Sequence, residues 1–176
     1  MPARILIFSS ENSDMRYASG LSIPDPFLWI KIDTKEYVLV SSLEYSRVRA
    51  QAKTGTKVVL LESIKLDHIK KPFQRRRNLA DIAAAFLLSF GVTEAIVSER
   101  CWALHLETMR EQGIRVKVQH PFFPERLVKK PEEIRAIKAT GLVAKKALRH
   151  ALQLIKESTI DWNDALVYKG KKLTSE

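Results

Sequence analysis

The residue types that carry out chemistry are present in this chain, but they do not converge in sequence. Histidines stand at His68, His105, His120 and His150, with no HxxH, HxxxH or HExxH spacing to set two imidazoles on one helix face as metal ligands. The single cysteine, Cys101, falls where a helix is expected to begin, a position that can lower a thiol pKa. With no partner cysteine nearby, a half-buried structural thiol is the expectation. No GxSxG elbow occurs, and no GxGxxG follows the first apolar run. The segment GKKLTSE is superficially like a phosphate loop, yet Lys171 is not followed by Ser or Thr, and Ala165 stands where the loop needs glycine. Asp161 and Asp164 are three apart in a polar tail, where carboxylates are usually solvated. The residues alone assemble no active site.

The elements that would have to position such groups are clearer. Short runs rich in β-branched and aromatic residues predict strands over residues 4–9, 27–32, 37–40, 58–62, 95–97 and 116–118. SSLEYSRVRAQAK predicts a helix capped by Ser41 or Ser42 and reaching about Ala52. NLADIAAAFLLSFG predicts a buried helix between an Asn78 cap and Gly91, and ERCWALHLETMREQG a further one ending at Gly113. Two strand–helix–strand units in succession imply parallel pairs joined by right-handed crossovers. The two runs joined by DTKE read as an antiparallel hairpin, so the sheet should be mixed. SENSDMRYASG, residues 10–20, reads as a turn released by Gly20 at positive φ.

After Gln119 the pattern changes. HPFFPER carries two prolines and is neither helix nor central strand. Pro131 then opens a long amphipathic helix whose Ile134, Ile137, Val143, Ala147, Ala151 and Leu154 form an apolar stripe in need of cover. The tail from Ile160 reads as ragged. The fold class is therefore α/β: a three-layer domain over residues 1–124 with a mixed, mostly six-stranded sheet flanked by helices. Residues 125–176 supply a linker and the long helix of a truncated second domain.

The 176 residues are 45% hydrophobic and 28% charged, an ordinary globular composition. No run of about eighteen apolar residues predicts a membrane span, and one cysteine fits a reducing compartment, most simply the cytoplasm. The net charge of +10 raises nucleic acid as a partner. The excess, however, sits in KLDHIKKPFQRRR and along the long helix, without the interleaved aromatics of single-strand binders. A nucleic-acid surface on Lys70, Lys71, Arg75, Arg76 and Arg77 is thus the weakest reading.

Three stretches taken in order resemble the creatinase, prolidase and aminopeptidase P family. Asn12, Asp14, Tyr17, Ser19 and Gly20 match its first loop, with Ala18 and Leu21 as departures. Glu44, Arg47 and Ala50 match the helix that follows its hairpin. Arg126, Lys129, Glu133 and Ile134 match the entry to its catalytic domain's first helix, and LTSE is similar to the segment after that helix.

The resemblance implies a creatinase-type, ribonuclease H-like amino-terminal domain followed by the start of a pita-bread domain. It implies the non-catalytic part of a metal-dependent Xaa-Pro aminopeptidase or dipeptidase. In that family two divalent ions (Mn, Co or Zn) are held by an Asp, Asp, His, Glu, Glu set that has no match on this sequence, so no cofactor and no catalytic residue is assigned to it. The implied partners are a proline-containing peptide substrate, met through the catalytic domain, and a second copy in a homodimer. Asp14, Arg16, Tyr17, Asp25 and Trp29 are the candidates to face that substrate, from the loop and the proline-stiffened LSIPDPFLWI that follows. For Trp29, plain core is favoured by strand alternation, and for Asp14 a local turn or pairing with Arg16. The alternative is a stand-alone protein-binding module of the same descent.

Overall fold

The two most apolar short runs, ARILIF and FLWIKI, become the central strands of a six-stranded sheet, β1 (Ala3–Phe8) and β2 (Phe27–Ile32). A strand covered on both faces needs apolar residues at successive positions, which is what these runs supply. The structure is a computed structural model that describes residues 2–67, 69–70 and 76–174. Around the central pair lie β3 (Lys35–Val40), β4 (Thr56–Leu60), β5 (Glu94–Ser98) and β6 (Arg115–Gln119), in the order β4-β3-β2-β1-β5-β6. β2 runs antiparallel to both β1 and β3, while β3–β4, β1–β5 and β5–β6 are parallel. The sheet is mixed, as the hairpin and the strand–helix–strand units required.

Helices cover both faces: α1 (Ser13–Ser19) and α2 (Ser42–Gln51) on one, α3 (Leu79–Ser89) and α4 (Ala103–Glu111) on the other. The period-2 alternation of β2 divides the core accordingly. Leu28 and Ile30 pack with Ala80, Ala83, Ala84, Leu87 and Met109. Phe27 and Trp29 pack with Met15, Val48, Phe122 and Phe123.

Three expectations for the residues up to Gln119 change. The stretch 10–20 is not a bare turn: its middle is α1. The fourth strand begins at Thr56 and yields to a 3-10 turn at Leu61–Ser63. α4 begins at Ala103, so Cys101 precedes the helix.

The chain divides into two compact units, Met1–Pro124 and Glu125–Glu176. The second contains α5 (Pro131–Lys156), with Pro131 in its first turn and no buried residue along its length. The tail expected to be ragged is ordered as a three-stranded antiparallel sheet, β7 (Thr159–Ile160), β8 (Leu166–Tyr168) and β9 (Lys171–Lys172). Two turns build it. Asp161 Oδ1 accepts from the N–H groups of Asn163 and Ala165 at 2.8 and 3.0 Å. Lys169 and Gly170, at φ 50° and 77°, close a two-residue hairpin. Asp161 is thus a structural turn residue, and the backbone N–H of Ala165 does most to hold its carboxyl below the usual range.

Candidate functional site

The loop that leaves β1 and returns as β2 is held by its own short polar side chains. Asn12 Oδ1 accepts from the N–H groups of Asp14 and Met15, each at 3.0 Å, and so caps α1. Ser19 Oγ donates to the Met15 carbonyl and accepts from the Leu21 N–H. Ser10 Oγ accepts the Ile23 N–H at 2.7 Å. From α2, Arg47 pairs with Glu44 and donates Nη1 to the Ser22 carbonyl at 3.1 Å. Lys53 Nζ reaches the carbonyls of Tyr17 and Ala18 at 2.8 and 2.7 Å, at the carboxyl end of α1. Asn12, Ser19, Gly20, Glu44 and Arg47 therefore act together, fixing residues 19–23 against α2.

Gly20 closes α1 at φ +71°, and a Cβ there would stand 3.0 Å from Lys53 Cε. Gly20→Ala is expected to cost about 1–2 kcal/mol from the left-handed backbone alone. A urea midpoint that falls with an unchanged slope is the expected result; an unchanged midpoint would show that the loop relaxes without cost.

The five residues expected to face a substrate do not share one setting. Asp14, Arg16 and Tyr17 ride on α1: Arg16 is exposed, Asp14 is half-buried, and Tyr17 is half-buried with its ring edge-on to Phe123 at 5.1 Å. Asp25 is exposed between the exposed Pro24 and Pro26. Trp29 is only 2% exposed and lies in the core beside Phe123. It offers no ring to a ligand, so as a substrate-facing residue it is corrected to the core position that its strand alternation favoured.

Next to this loop a cleft of about 480 Å³ opens beyond the carboxyl end of the central strand β1. Ile7, Phe8 and Ser9 form its floor, Glu11, Asn12 and Pro26 one side, and Asn78, Leu79, Trp102 and His105 the other. β1 leads through α1 to the antiparallel β2 on one side, and β5 through α4 to the parallel β6 on the other, so the cleft sits where the direction of the chain's connections reverses. In α/β sheets such positions, outside the carboxyl ends of strands, are where ligands bind. Trp102 is 64% exposed, and its ring is stacked on His105 with centroids 5.4 Å apart and planes 18° apart. His105 is only 8% exposed, and its Nδ1, shut off from solvent, has no hydrogen-bond partner among the described residues. Burial lowers its pKa, which keeps the ring neutral at pH 7. Sequence spacing missed this site; its one local signal was a tryptophan three residues before a histidine, just past a strand read as parallel.

The other reactive types are placed apart. Cys101 is buried enough that its thiol pKa is pushed up to about 11, the opposite of the activated thiol that a helix start can produce. His120 Nδ1 stands 3.1 Å from Glu99 at the surface, and His150 is exposed on α5. His68, Lys71, Arg75 and the last two residues of LTSE lie outside the described residues. Lys70, Arg76 and Arg77 are exposed. Among the described residues no group of three or more His, Cys, Asp or Glu side chains could hold a metal ion, and no helix is long and apolar enough to cross a membrane.

No family model matches the chain, and no curated protein matches it. Solved structures do. An Xaa-Pro dipeptidase from Bacillus anthracis superposes with a TM-score of 0.69 at 13% identity, over 93% of this chain and 41% of that one. An X-Pro aminopeptidase from Thermotoga maritima gives 0.68 at 14% identity, over 94% and 44%. Prolidase from Pyrococcus furiosus gives 0.61 at 18% identity, over 94% and 43%. The chain spans roughly two-fifths of the length of these structures. Its six-stranded mixed sheet, flanking helices and long helix are the fold of the amino-terminal part of the prolidase and Xaa-Pro peptidase structures.

Proposed function

We propose that this chain is the non-catalytic amino-terminal portion of a metal-dependent Xaa-Pro aminopeptidase- or dipeptidase-like hydrolase, shaping substrate access and dimer contacts. The observation that supports it is the unequal coverage: 93% of this chain is matched, but only 41% of the Bacillus anthracis dipeptidase. Two divalent ions need a convergent set of carboxylates and imidazole, and the described residues provide none, so the two ions that the resemblance implies do not fit here and no hydrolytic step is assigned to these side chains.

In this reading Asp14, Arg16, Tyr17 and Asp25 face a proline-containing peptide held elsewhere. The anchored loop supplies the rigidity such a role needs, because a segment already fixed loses little entropy on binding. A second copy of the chain completes the dimer. A stand-alone protein-binding module is the second reading, supported by the exposed apolar residues Ile137, Val143, Leu152 and Ile155 on α5.

The purified chain is expected to fold and to release no proline-containing product from an Xaa-Pro dipeptide with added manganese or cobalt. Hydrolysis that scales with protein and is abolished by a chelator would overturn the proposal. The transcript separates the two readings. A coding sequence that includes the Asp, Asp, His, Glu, Glu set supports the enzyme portion, and one without it supports the binding module.

A further inference from the structure

The six-stranded sheet ends on one side at β4, and that edge is open. Apart from their pairing with β3, the backbone groups of Lys57, Val58 and Val59 have no hydrogen-bond partner among the described residues. An unpaired edge is a template to which another extended chain can add as a further strand. A groove of about 440 Å³ runs beside it, lined by Thr56, Lys57, Val58 and Val59 at four successive positions. Neighbouring strand residues point to opposite faces: Val58 packs with the half of the core that holds Trp29, and Val59 with the half that holds Ala84. The groove therefore follows the edge of the strand and not one face of the sheet. Tyr45 and Arg49, one turn apart on α2, form its other wall.

The charge beside the edge selects among extended chains. Arg49 and Lys57 are exposed, and neither has an acidic partner among the described residues. Lys57 Nζ stands 6.0 Å from the centre of the Tyr37 ring. No described residue that lines the groove is acidic, and neither His68 nor any of residues 71–75 is. A cationic groove attracts carboxylates. A second copy of this chain suits the edge poorly, because two molecules of charge +10 would meet with Arg49 and Lys57 on both sides. An edge lysine that repels a basic strand attracts an acidic one.

We propose that the β4 edge binds an extended acidic segment of a partner protein by strand addition, its backbone pairing with residues 57–59 and its carboxylates lying against Arg49 and Lys57. The backbone ladder supplies affinity, and the two cations supply the preference for acid. The edge lies within the first unit and does not depend on the peptidase reading; either can fail while the other stands.

The test titrates the whole ¹⁵N-labelled chain with three capped hexapeptides: TVEVEV, its lysine counterpart TVKVKV, and TVEVEV N-methylated at its four central residues. TVEVEV is expected to shift the amides of residues 57–59 and slow their hydrogen exchange, while those of β6, the opposite edge, stay in place. The lysine and N-methylated peptides should each bind about tenfold more weakly, the first through charge and the second through its missing N–H donors. Arg49→Gln combined with Lys57→Gln, at two exposed positions, should weaken TVEVEV by about tenfold and leave the far-UV circular dichroism unchanged. The proposal is overturned if about 5 mM TVEVEV, several times a Kd of about 1 mM, shifts no amide of residues 57–59. It is equally overturned if the N-methylated peptide binds as TVEVEV does, which would leave only the attraction of an acid to a cationic surface. Equal binding of TVKVKV, parent-like binding by the double variant, or β6 shifts as large as those of β4 would each overturn it too.

Discussion

Trp29→Ala is expected to destabilise the first unit by about 3–5 kcal/mol, the usual cost of emptying a large aromatic site in a packed core. Trp29 is 2% exposed. It stands opposite Leu6 on β1 and Val38 on β3, both in the same core half, with Phe123 edge-on at 5.8 Å. Little around it can collapse into the space, because the neighbours on both sides are themselves strand residues held in register. Against a total stability of roughly 5–15 kcal/mol, such a loss removes a third or more. Trp29→Phe should behave differently. The indole Nε1 is buried with no hydrogen-bond partner among the described residues, so phenylalanine loses ring volume but also removes a polar group whose burial costs about 1–3 kcal/mol. The two terms oppose each other, and a change within about 1 kcal/mol is expected. Urea unfolding followed by far-UV circular dichroism measures both. A substrate-facing tryptophan would give the reverse pattern, with stability intact in Trp29→Ala, and that outcome would restore the surface role.

Most of the first unit was legible because its elements announce themselves over short distances. Six strands come from apolar runs, and the two richest, ARILIF and FLWIKI, are the two at the centre of the sheet. α3 carries its start in Asn78 and its stop in Gly91, so its limits follow from local hydrogen bonding. α1 was not legible for the complementary reason. Seven residues that include Ser, Asp and Tyr have little helix propensity of their own. The helix exists because Asn12 caps it, Met15 and Ala18 bury against the sheet, and Lys53, more than thirty positions away, takes up its last carbonyls. The strands of the second unit, two or three residues long, are too short to show a period of two. The cleft was invisible for a deeper reason. Phe8, Pro26, Asn78 and Trp102 are brought together by strand order, and no spacing in the sequence encodes which strand ends lie side by side.

Asp81→Ala is the second change expected to cost most, about 3 kcal/mol, and its effect should reach the cleft. The carboxylate is fully buried at the start of α3. Its Oδ2 accepts the Asn78 N–H at 2.9 Å, completing a reciprocal cap, and its Oδ1 accepts from Gln112 Nε2 at 3.2 Å. Gln112 in turn bonds the backbone N–H and carbonyl of Lys70, and Asn78 Nδ2 donates to Thr108 on α4. One side chain thus ties the first turn of α3 to the end of α4 and to the segment before it. Loss of a capping partner costs about 1 kcal/mol, and each buried donor left unpaired costs about 1–3 kcal/mol, so the Asn78 and Gln112 donors together account for a loss of this size. Asp81→Asn keeps an acceptor at one oxygen and should cost about half as much. Because Asn78 and Leu79 form one wall of the cleft, hydrogen exchange at residues 78–80 should speed up in Asp81→Ala even where the unit stays folded. A variant with the parent's urea midpoint and the parent's exchange rates would mean that Asn78 and Gln112 find other acceptors. The wall of the cleft would then be held by apolar packing of α3 alone.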